Sequence, residues 1–274
     1  MTTTADLLAR APAAGRQAEL AANLRAVRAR VDAAAATCGR DPGDVTLVAV
    51  TKTRPASDAR LLVGLGIRDL GENHDREAAA KAADLADLAD LADLADSADS
   101  ADSADSADPA PSPRWHFVGT LQRNKAASVA RYADLVHSVD RSALVAALSR
   151  AAGNAGRTLS CLVQVSLDGD PRRGGVPPEG LAALADAVAS APGLRLAGVM
   201  AVAPLGHPAG PAFARLVSLS DRLRTDHPRA TAVSAGMSGD LEAAVTAGAT
   251  HLRVGTALLG SRSHPARPER KGTA

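Results

Sequence analysis

The sharpest chemical signal in the chain is Lys52, which directly follows the β-branched apolar run VTLVAVT (45–51). A lysine projecting from the end of a buried strand is partly desolvated, which lowers its pKa and suits it to act as an imine-forming amine. The alternative is a surface lysine whose stem snorkels along a loop. A second signal is SAGMSGD (234–240), which offers consecutive backbone N–H groups and two hydroxyls just ahead of a helix starting near Asp240. Ser234, Gly236, Met237 and Ser238 there suit a bound anion, although a turn capped by Ser238 or Asp240 explains the pattern equally well. Arg253 lies inside the apolar stretch HLRVGTALLG, where an unpaired charge is costly. It therefore needs an acceptor, either a structural carboxylate or a ligand atom. His116, in WHFVG, reads on its own as a satisfied interior histidine, and Glu242 as a solvated helix residue.

The elements around these residues alternate. Strands are predicted near 45–51, 67–72, 115–119, 135–140, 159–167, 194–202, 230–237 and 251–258, with Ala/Leu-rich helical stretches at 56–65, 141–152, 178–190, 211–225 and 240–247. Eight strands with helical crossovers predict a single (β/α)8 TIM barrel. A doubly wound sheet is the competing architecture, but no Gly-rich dinucleotide fingerprint follows the first strand. Ahead of the barrel, Leu20, Leu24, Val27 and Val31 recur at helical spacing with arginines between them, predicting an extra amphipathic N-terminal helix. In a barrel of this kind functional groups gather where strands end. Lys52 then follows strand one, Glu72 and Asn73 close strand two, and His116 lies in strand three with Gly119 at its end. Ser234, Gly236, Met237 and Ser238 end strand seven, and Arg253, Gly255 and Thr256 end strand eight, where such barrels commonly hold a phosphate.

The chain has 274 residues and 46% hydrophobic content, enough for one large core. Four aromatic residues are too few for a stacking platform for single-stranded nucleic acid. The net charge of +1 hides an asymmetry, because nine of the 30 acidic residues lie in 84–108 and the remainder carries 31 basic residues against 21 acidic ones. A basic globular part suits a small anionic ligand or a nucleic-acid backbone. The segment DLADLADLADLADSADSADSADSAD (84–108) repeats every three residues, a period that spirals its leucines around a helix, and reads as a solvated acidic insertion extending the preceding helix. Residues 1–17 and the Pro/Arg-rich 263–274 read as disordered tails flanking a domain at 18–262. Cys38 and Cys161 form no metal-type spacing, and the start of the chain lacks a signal peptide or long apolar run, so a reduced, cytoplasmic protein that does not engage a membrane is expected.

The stretches VTLVAVTKTRPA (45–56), DLGENH (69–74), WHFVGTLQRNK (115–125), GVMAVAP (198–204) and VSAGMSGDLEAAVTAGATHLRVGTALLGSR (233–262) together resemble the pyridoxal phosphate homeostasis proteins. These are single-domain barrels similar to the N-terminal domain of alanine racemase. The resemblance covers residues 18–262 apart from the acidic repeat, which has no counterpart in the family. It implies a pyridoxal 5′-phosphate aldimine on Lys52, with Asn73 and His116 near the cofactor. It further implies that Ser234, Gly236, Met237, Ser238, Gly255 and Thr256 hold the phosphate while Arg253 faces the pyridine nitrogen. Two positions depart from the family pattern: His74 stands where a Tyr is usual, and Ala235 where a Met is common.

These readings favour a non-catalytic protein that holds pyridoxal phosphate and buffers or delivers it to apoenzymes. Catalysis by this cofactor needs the ring as an electron sink, and an arginine at the ring nitrogen disfavours its protonation. Racemisation also needs a base on each face; the only tyrosine, Tyr132, is predicted on a helix away from the strand ends. The alternatives are a racemase built on the same barrel, and an interaction module using the basic surface. Against the latter stands the absence of clustered basic runs and aromatics, so no nucleic-acid partner is expected.

Overall fold

The computed structural model describes residues 4–96 and 112–261. Eight parallel strands close into a barrel in sequence order. They are β1 (Thr46–Val50), β2 (Asp69–Glu72), β3 (Arg114–Phe117), β4 (Leu135–Val139), β5 (Leu159–Gln164), β6 (Leu194–Met200), β7 (Ala232–Ser234) and β8 (His251–Val254). The ring closes where β1 pairs with β2 through Val48 and Asp69, and with β8 through Thr46 and His251. Nine α-helices occur among the described residues: α1 (Thr4–Thr37), α2 (Ala56–Gly64), α3 (Asp75–Asp96), α4 (Ala126–Tyr132), α5 (Ser142–Ala155), α6 (Leu181–Ser190), α7 (Ala209–Asp226), α8 (Leu241–Ala247) and α9 (Thr256–Leu259).

The larger core lies between strands and helices, where Leu20, Leu62, Leu144, Leu148, Phe213 and Leu216 are buried. Leu20, Leu24, Val27 and Val31 form the buried stripe of α1, as their spacing predicts. Inside the barrel the apolar filling is small: Leu135, Leu162 and Met200 form a separate cluster. Much of the remaining interior is polar, with Asp69, His116, His137, Ser234 and Arg253 all buried.

Two boundaries differ from the sequence reading. The first helix begins at Thr4 rather than near residue 18, and Arg16 ties it to the barrel through a bidentate pair with buried Asp58 (2.6 and 3.1 Å) and a bond to the Leu259 carbonyl. The last predicted strand stops at Val254 and yields to α9, because Leu258 and Leu259 N–H groups turn back to the Gly255 carbonyl and bury both leucines. A short apolar run does not by itself distinguish strand from helix. The first part of the acidic repeat, 84–96, continues α3, with Leu85 buried. The rest of it (97–108) and the 263–274 tail lie outside the described residues. Among the described residues no helix is long and apolar enough to cross a membrane, and no cluster of side chains suits a metal ion.

Candidate functional site

The C-terminal mouth is organised around the turn after β1. Thr51 donates its hydroxyl to Glu72 Oε1 (2.6 Å), and its N–H bonds the Gly71 carbonyl (2.9 Å). Lys81, buried on α3, donates to the Thr51 carbonyl (2.7 Å), Glu72 Oε1 (2.6 Å) and Glu77 Oε1 (2.7 Å). Glu77 in turn accepts the Thr53 N–H (2.5 Å). Thr53 is the one non-glycine residue among the described residues with a left-handed backbone, φ 62°, a conformation unfavourable for a β-branched side chain. The network on one side and the Arg54 bond to the Gly260 carbonyl (2.5 Å) on the other hold it there. Lys52 lies between these anchors, its ammonium without a partner among the described residues. It lines a small pocket of about 50 Å3 with Gly255, Thr256 and Thr53.

Glu72 Oε2 and Asn73 Oδ1 are buried without a partner among the described residues. Burial pushes the Glu72 carboxyl above its ordinary range, against the bonds from Lys81 and Thr51. Gly119 packs so tightly on β2 that a Cβ there would come within 2.4 Å of the Asn73 carbonyl oxygen, so only glycine fits. His74 is exposed and Ala235 buried.

The SAGMSGD segment forms a tight turn around Gly236 (φ 85°), where a Cβ would meet Ala244 at 2.5 Å. Asp240 accepts the Met237 N–H (2.6 Å), and Ser238 Oγ accepts the Ala257 N–H (3.1 Å), joining this turn to the start of α9. Asp240 is the N-cap of α8 but makes no side-chain capping bond there, and Ser238 bonds α9 rather than α8, so neither side chain caps α8 as the turn-and-cap reading expected. The Ser238, Gly239 and Thr256 N–H groups have no partner among the described residues. Glu242 is exposed on α8, as expected, and pairs with Arg30 of α1 at 2.6 Å.

Ser234 is turned into the barrel instead, bonded to His137 Nδ1 (2.9 Å) and to Arg253 Nη1 (2.5 Å). Arg253 also donates to the Ala201 carbonyl (2.9 Å) and is buried. Both partners are neutral. Burial lowers its pKa to about 10, with only a distant Asp240 opposing, so this guanidinium lacks the structural carboxylate that would explain it. His116 has both ring nitrogens engaged, by His137 (2.9 Å) and Asp69 (2.8 Å), and lines a cavity that includes Asp69, Arg114 and Arg195, residues from the starts of strands. It is the penultimate residue of β3, whereas Ser234 is the last residue of β7.

Sequence reasoning missed Lys81, Glu77, Asp69 and His137. Lys81 carried a usable signal: with Ala78 and Leu85 it falls at spacings of three and four on the buried face of α3. Tyr132 ends α4, half-buried beside the cavity between α3 and α4, with its hydroxyl unpartnered among the described residues and burial raising its pKa.

A closed parallel barrel with a lone lysine after β1, free backbone N–H groups by β7 and β8 and a buried, unpaired arginine defines a class. The family described as "Alanine racemase, N-terminal domain" matches residues 22–263. A pyridoxal phosphate homeostasis protein of Mycobacterium bovis is 44% identical over 90% of this chain and 94% of its own. The protein of the same name from Escherichia coli is 34% identical over 90% of this chain and 98% of its own. Among solved structures, PipY of Synechococcus elongatus with PLP bound superposes with a TM-score of 0.71 at 34% identity, over 88% of this chain and all (100%) of PipY. The chain belongs to the family of pyridoxal phosphate homeostasis proteins.

Proposed function

We propose that this protein binds pyridoxal 5′-phosphate at the C-terminal mouth of the barrel, and that it stores and delivers the cofactor without substantial turnover. The observation that carries this reading is Lys52, without a partner among the described residues, on a turn fixed by buried Lys81 and Glu72 and half-buried Glu77, beside Gly255 and Thr256. Relatives named for pyridoxal phosphate homeostasis and the PLP-bound PipY support it. When bound, the cofactor supplies an aldehyde that an amine captures reversibly and a ring that can accept electrons.

The residues present fit such a group. Lys52 provides the amine. The unpartnered N–H groups of Ser238, Gly239 and Thr256 suit phosphate oxygens, with Gly236 and Gly255 allowing close backbone approach. Met237 contributes the shape of this turn while its N–H stays with Asp240. Ser234, whose hydroxyl is committed to Arg253 and His137, holds the guanidinium in place rather than the phosphate. Asn73 offers a buried, unsatisfied oxygen at the end of β2. Arg253, a permanent donor, faces the ring nitrogen and disfavours its protonation, which weakens the electron sink. Tyr132, the single tyrosine, lines the cavity between α3 and α4 and supplies no base for racemisation. The recipients are apoenzymes that use the same cofactor. The two cysteines are unpaired, which suits a reducing, cytoplasmic setting.

The test is borohydride reduction of the cofactor-loaded protein followed by peptide mapping. The expected result is a single modified peptide containing Lys52. Label on Lys81 or Lys125 instead refutes the assignment, and steady turnover of an amino acid at enzymatic rates refutes the non-catalytic reading.

A further inference from the structure

The N-terminal face of the barrel, opposite the mouth, holds a cavity of about 430 Å3 walled by the starts of β2 to β8. Asp69 and His116 line it and begin a hydrogen-bonded series across the interior. Asp69 Oδ1 lies 2.8 Å from His116 Nε2, His116 Nδ1 lies 2.9 Å from His137 Nε2, and His137 Nδ1 lies 2.9 Å from Ser234 Oγ, which Arg253 also bonds. All five residues are buried. Branched aliphatic side chains usually fill such a barrel; this end is lined instead by charged and hydroxyl-bearing ones.

The charges around the cavity do not cancel. Arg114 donates to both Asp69 oxygens (2.7 and 2.8 Å). Arg157 donates to Asp134 Oδ1 (2.8 Å), and the Trp115 N–H to its Oδ2 (2.8 Å). Both carboxylates are thereby compensated, and Arg195 and Arg229 remain. Among the described residues Arg195 donates only to Ser160 Oγ (2.6 Å), from the facing position of β5, and Arg229 has no partner. The two arginines line this cavity together and share the wall of a neighbouring one, which sets them side by side.

A further donor comes from His251. Burial first, then His116, Arg114 and Arg253 against the pull of Asp69, lower its pKa to about 4, so the ring is uncharged at physiological pH. The Thr250 hydroxyl accepts the Val233 N–H (2.8 Å) and has two acceptors for its own hydrogen, His251 Nδ1 at 2.8 Å and the Val233 carbonyl at 3.4 Å. The nearer acceptor takes it, which leaves the His251 proton on Nε2, a nitrogen without a partner among the described residues.

We infer that this cavity is a second anion site, separate from the mouth, that takes a small phosphate monoester. Arg195 and Arg229 meet the phosphate, while His251 Nε2–H and the hydroxyls of Thr158, Ser160 and Thr231 bond the remaining oxygens. Guanidinium groups pair with phosphate oxygens two bonds at a time. A phosphate monoester is a dianion above its second pKa of about 6, which matches two uncompensated cations set side by side. A dicarboxylate carries the same charge but spreads it over two ends. The cavity also falls in the range of about 300–1,000 Å3 typical of organic ligands, so it has room for more than inorganic phosphate.

The mouth is itself expected to hold a phosphate, so the test is made on protein loaded with pyridoxal phosphate. Calorimetric titration with glycerol 3-phosphate should show saturable binding, with 1H–15N shift changes at Thr158, Ser160, Thr231 and His251 and none at Ser238 or Gly239. Arg195→Gln and Arg229→Gln should each weaken binding by about ten-fold or more and leave cofactor content and absorbance unchanged. Arg229 makes no bond that the fold uses, so its variant separates lost charge from lost structure. Inorganic phosphate and succinate should bind more weakly than glycerol 3-phosphate. Absence of saturable binding, binding that survives both substitutions, shift changes confined to the mouth, or succinate or inorganic phosphate as the tighter ligand overturns the proposal. Failure of the protein to take up pyridoxal phosphate would count against the binding reading of the mouth alone; the same titration of cofactor-free protein, read at the same four residues, then decides the N-terminal site.

Discussion

Replacing Lys81 by methionine should expose how much of the site depends on the network under the Lys52 turn. The substitution keeps the apolar stem of the side chain on the buried face of α3 and removes an ammonium only 5% exposed. Glu72, whose side chain is 0% exposed, then keeps one bond, from the Thr51 hydroxyl, while its Oε2 already lacks a partner. Breaking a buried pair by removing one member costs about 3–5 kcal/mol. For a domain of this size that corresponds to a fall in Tm on the order of 10 °C. The loss carries a pH signature. Burial has already raised the Glu72 carboxyl, against the bonds from Lys81 and Thr51, and losing Lys81 raises it further. A carboxyl whose folded pKa exceeds its unfolded value binds more protons when folded, so stability falls as pH rises from the unfolded value of about 4.3 to the folded one. Thermal melts of the cofactor-free protein at pH 5 and pH 8 should therefore show a larger deficit for Lys81→Met at pH 8. Adding Glu72→Gln should recover most of the pH-dependent part. Cofactor affinity should fall as well, because the Thr51 carbonyl and the Glu77 carboxylate that fix the turn lose their common donor. A deficit below about 1 kcal/mol, equal at both pH values and untouched by Glu72→Gln, would refute the reasoning.

Three further outcomes are expected. Arg253→Glu should retain part of the bound cofactor but shift its absorbance, because a carboxylate there favours the protonated ring nitrogen; with Arg253→Gln as control, spectra unchanged across pH in both variants would mean the arginine does not contact the ring. Deleting residues 97–108 should change stability by no more than about 1 kcal/mol, whereas a deletion starting at residue 84 removes buried Leu85 and should cost about 2–4 kcal/mol more; equal melting curves for the two deletions would refute this. Tyr132→Phe removes a buried hydroxyl without a partner and should be neutral or stabilising by about 1 kcal/mol in denaturant titrations, so a clear destabilisation would reveal a partner for that hydroxyl.

The architecture was legible because eight apolar runs are separated by helical stretches long enough to cross over. What failed was local. HLRVGTALLG reads as one strand, yet Gly255 breaks it and TALL closes into α9 against the N-terminal helix. Propensity cannot see that α1 lies there to bury Leu258 and Leu259. Arg16, likewise, looks like an ordinary charge in an Ala-rich leader until Asp58 is found buried opposite it. Lys52 and Arg253 were legible as anomalies, each a cation where the surrounding residues are apolar, and an anomaly is visible in one dimension.

The interior chain is different in kind. Its members, Asp69, His116, His137, Ser234 and Arg253, come one each from β2, β3, β4, β7 and β8, and inward-facing neighbours such as Arg114, Leu135 and His251 stand two residues from His116, His137 and Arg253. Alternation places each set on one face of the sheet, but only the register shows that those faces meet. Asp69 stands opposite Arg114, His116 opposite Leu135, and Ser234 opposite His251. No spacing within the sequence encodes that closure. An interior filled with branched aliphatic residues is the usual filling of such a barrel, and replacing buried ionic groups by well-packed apolar ones is often neutral or stabilising. The fold alone therefore does not call for Asp69, His116, His137 and Arg253 in the centre. Every one of them is satisfied by another member of the series, and the series ends beside the turn that leads into Ser238 and Gly239. Each is held by a partner on another strand, and that is why a reading based on how each strand folds passed over them.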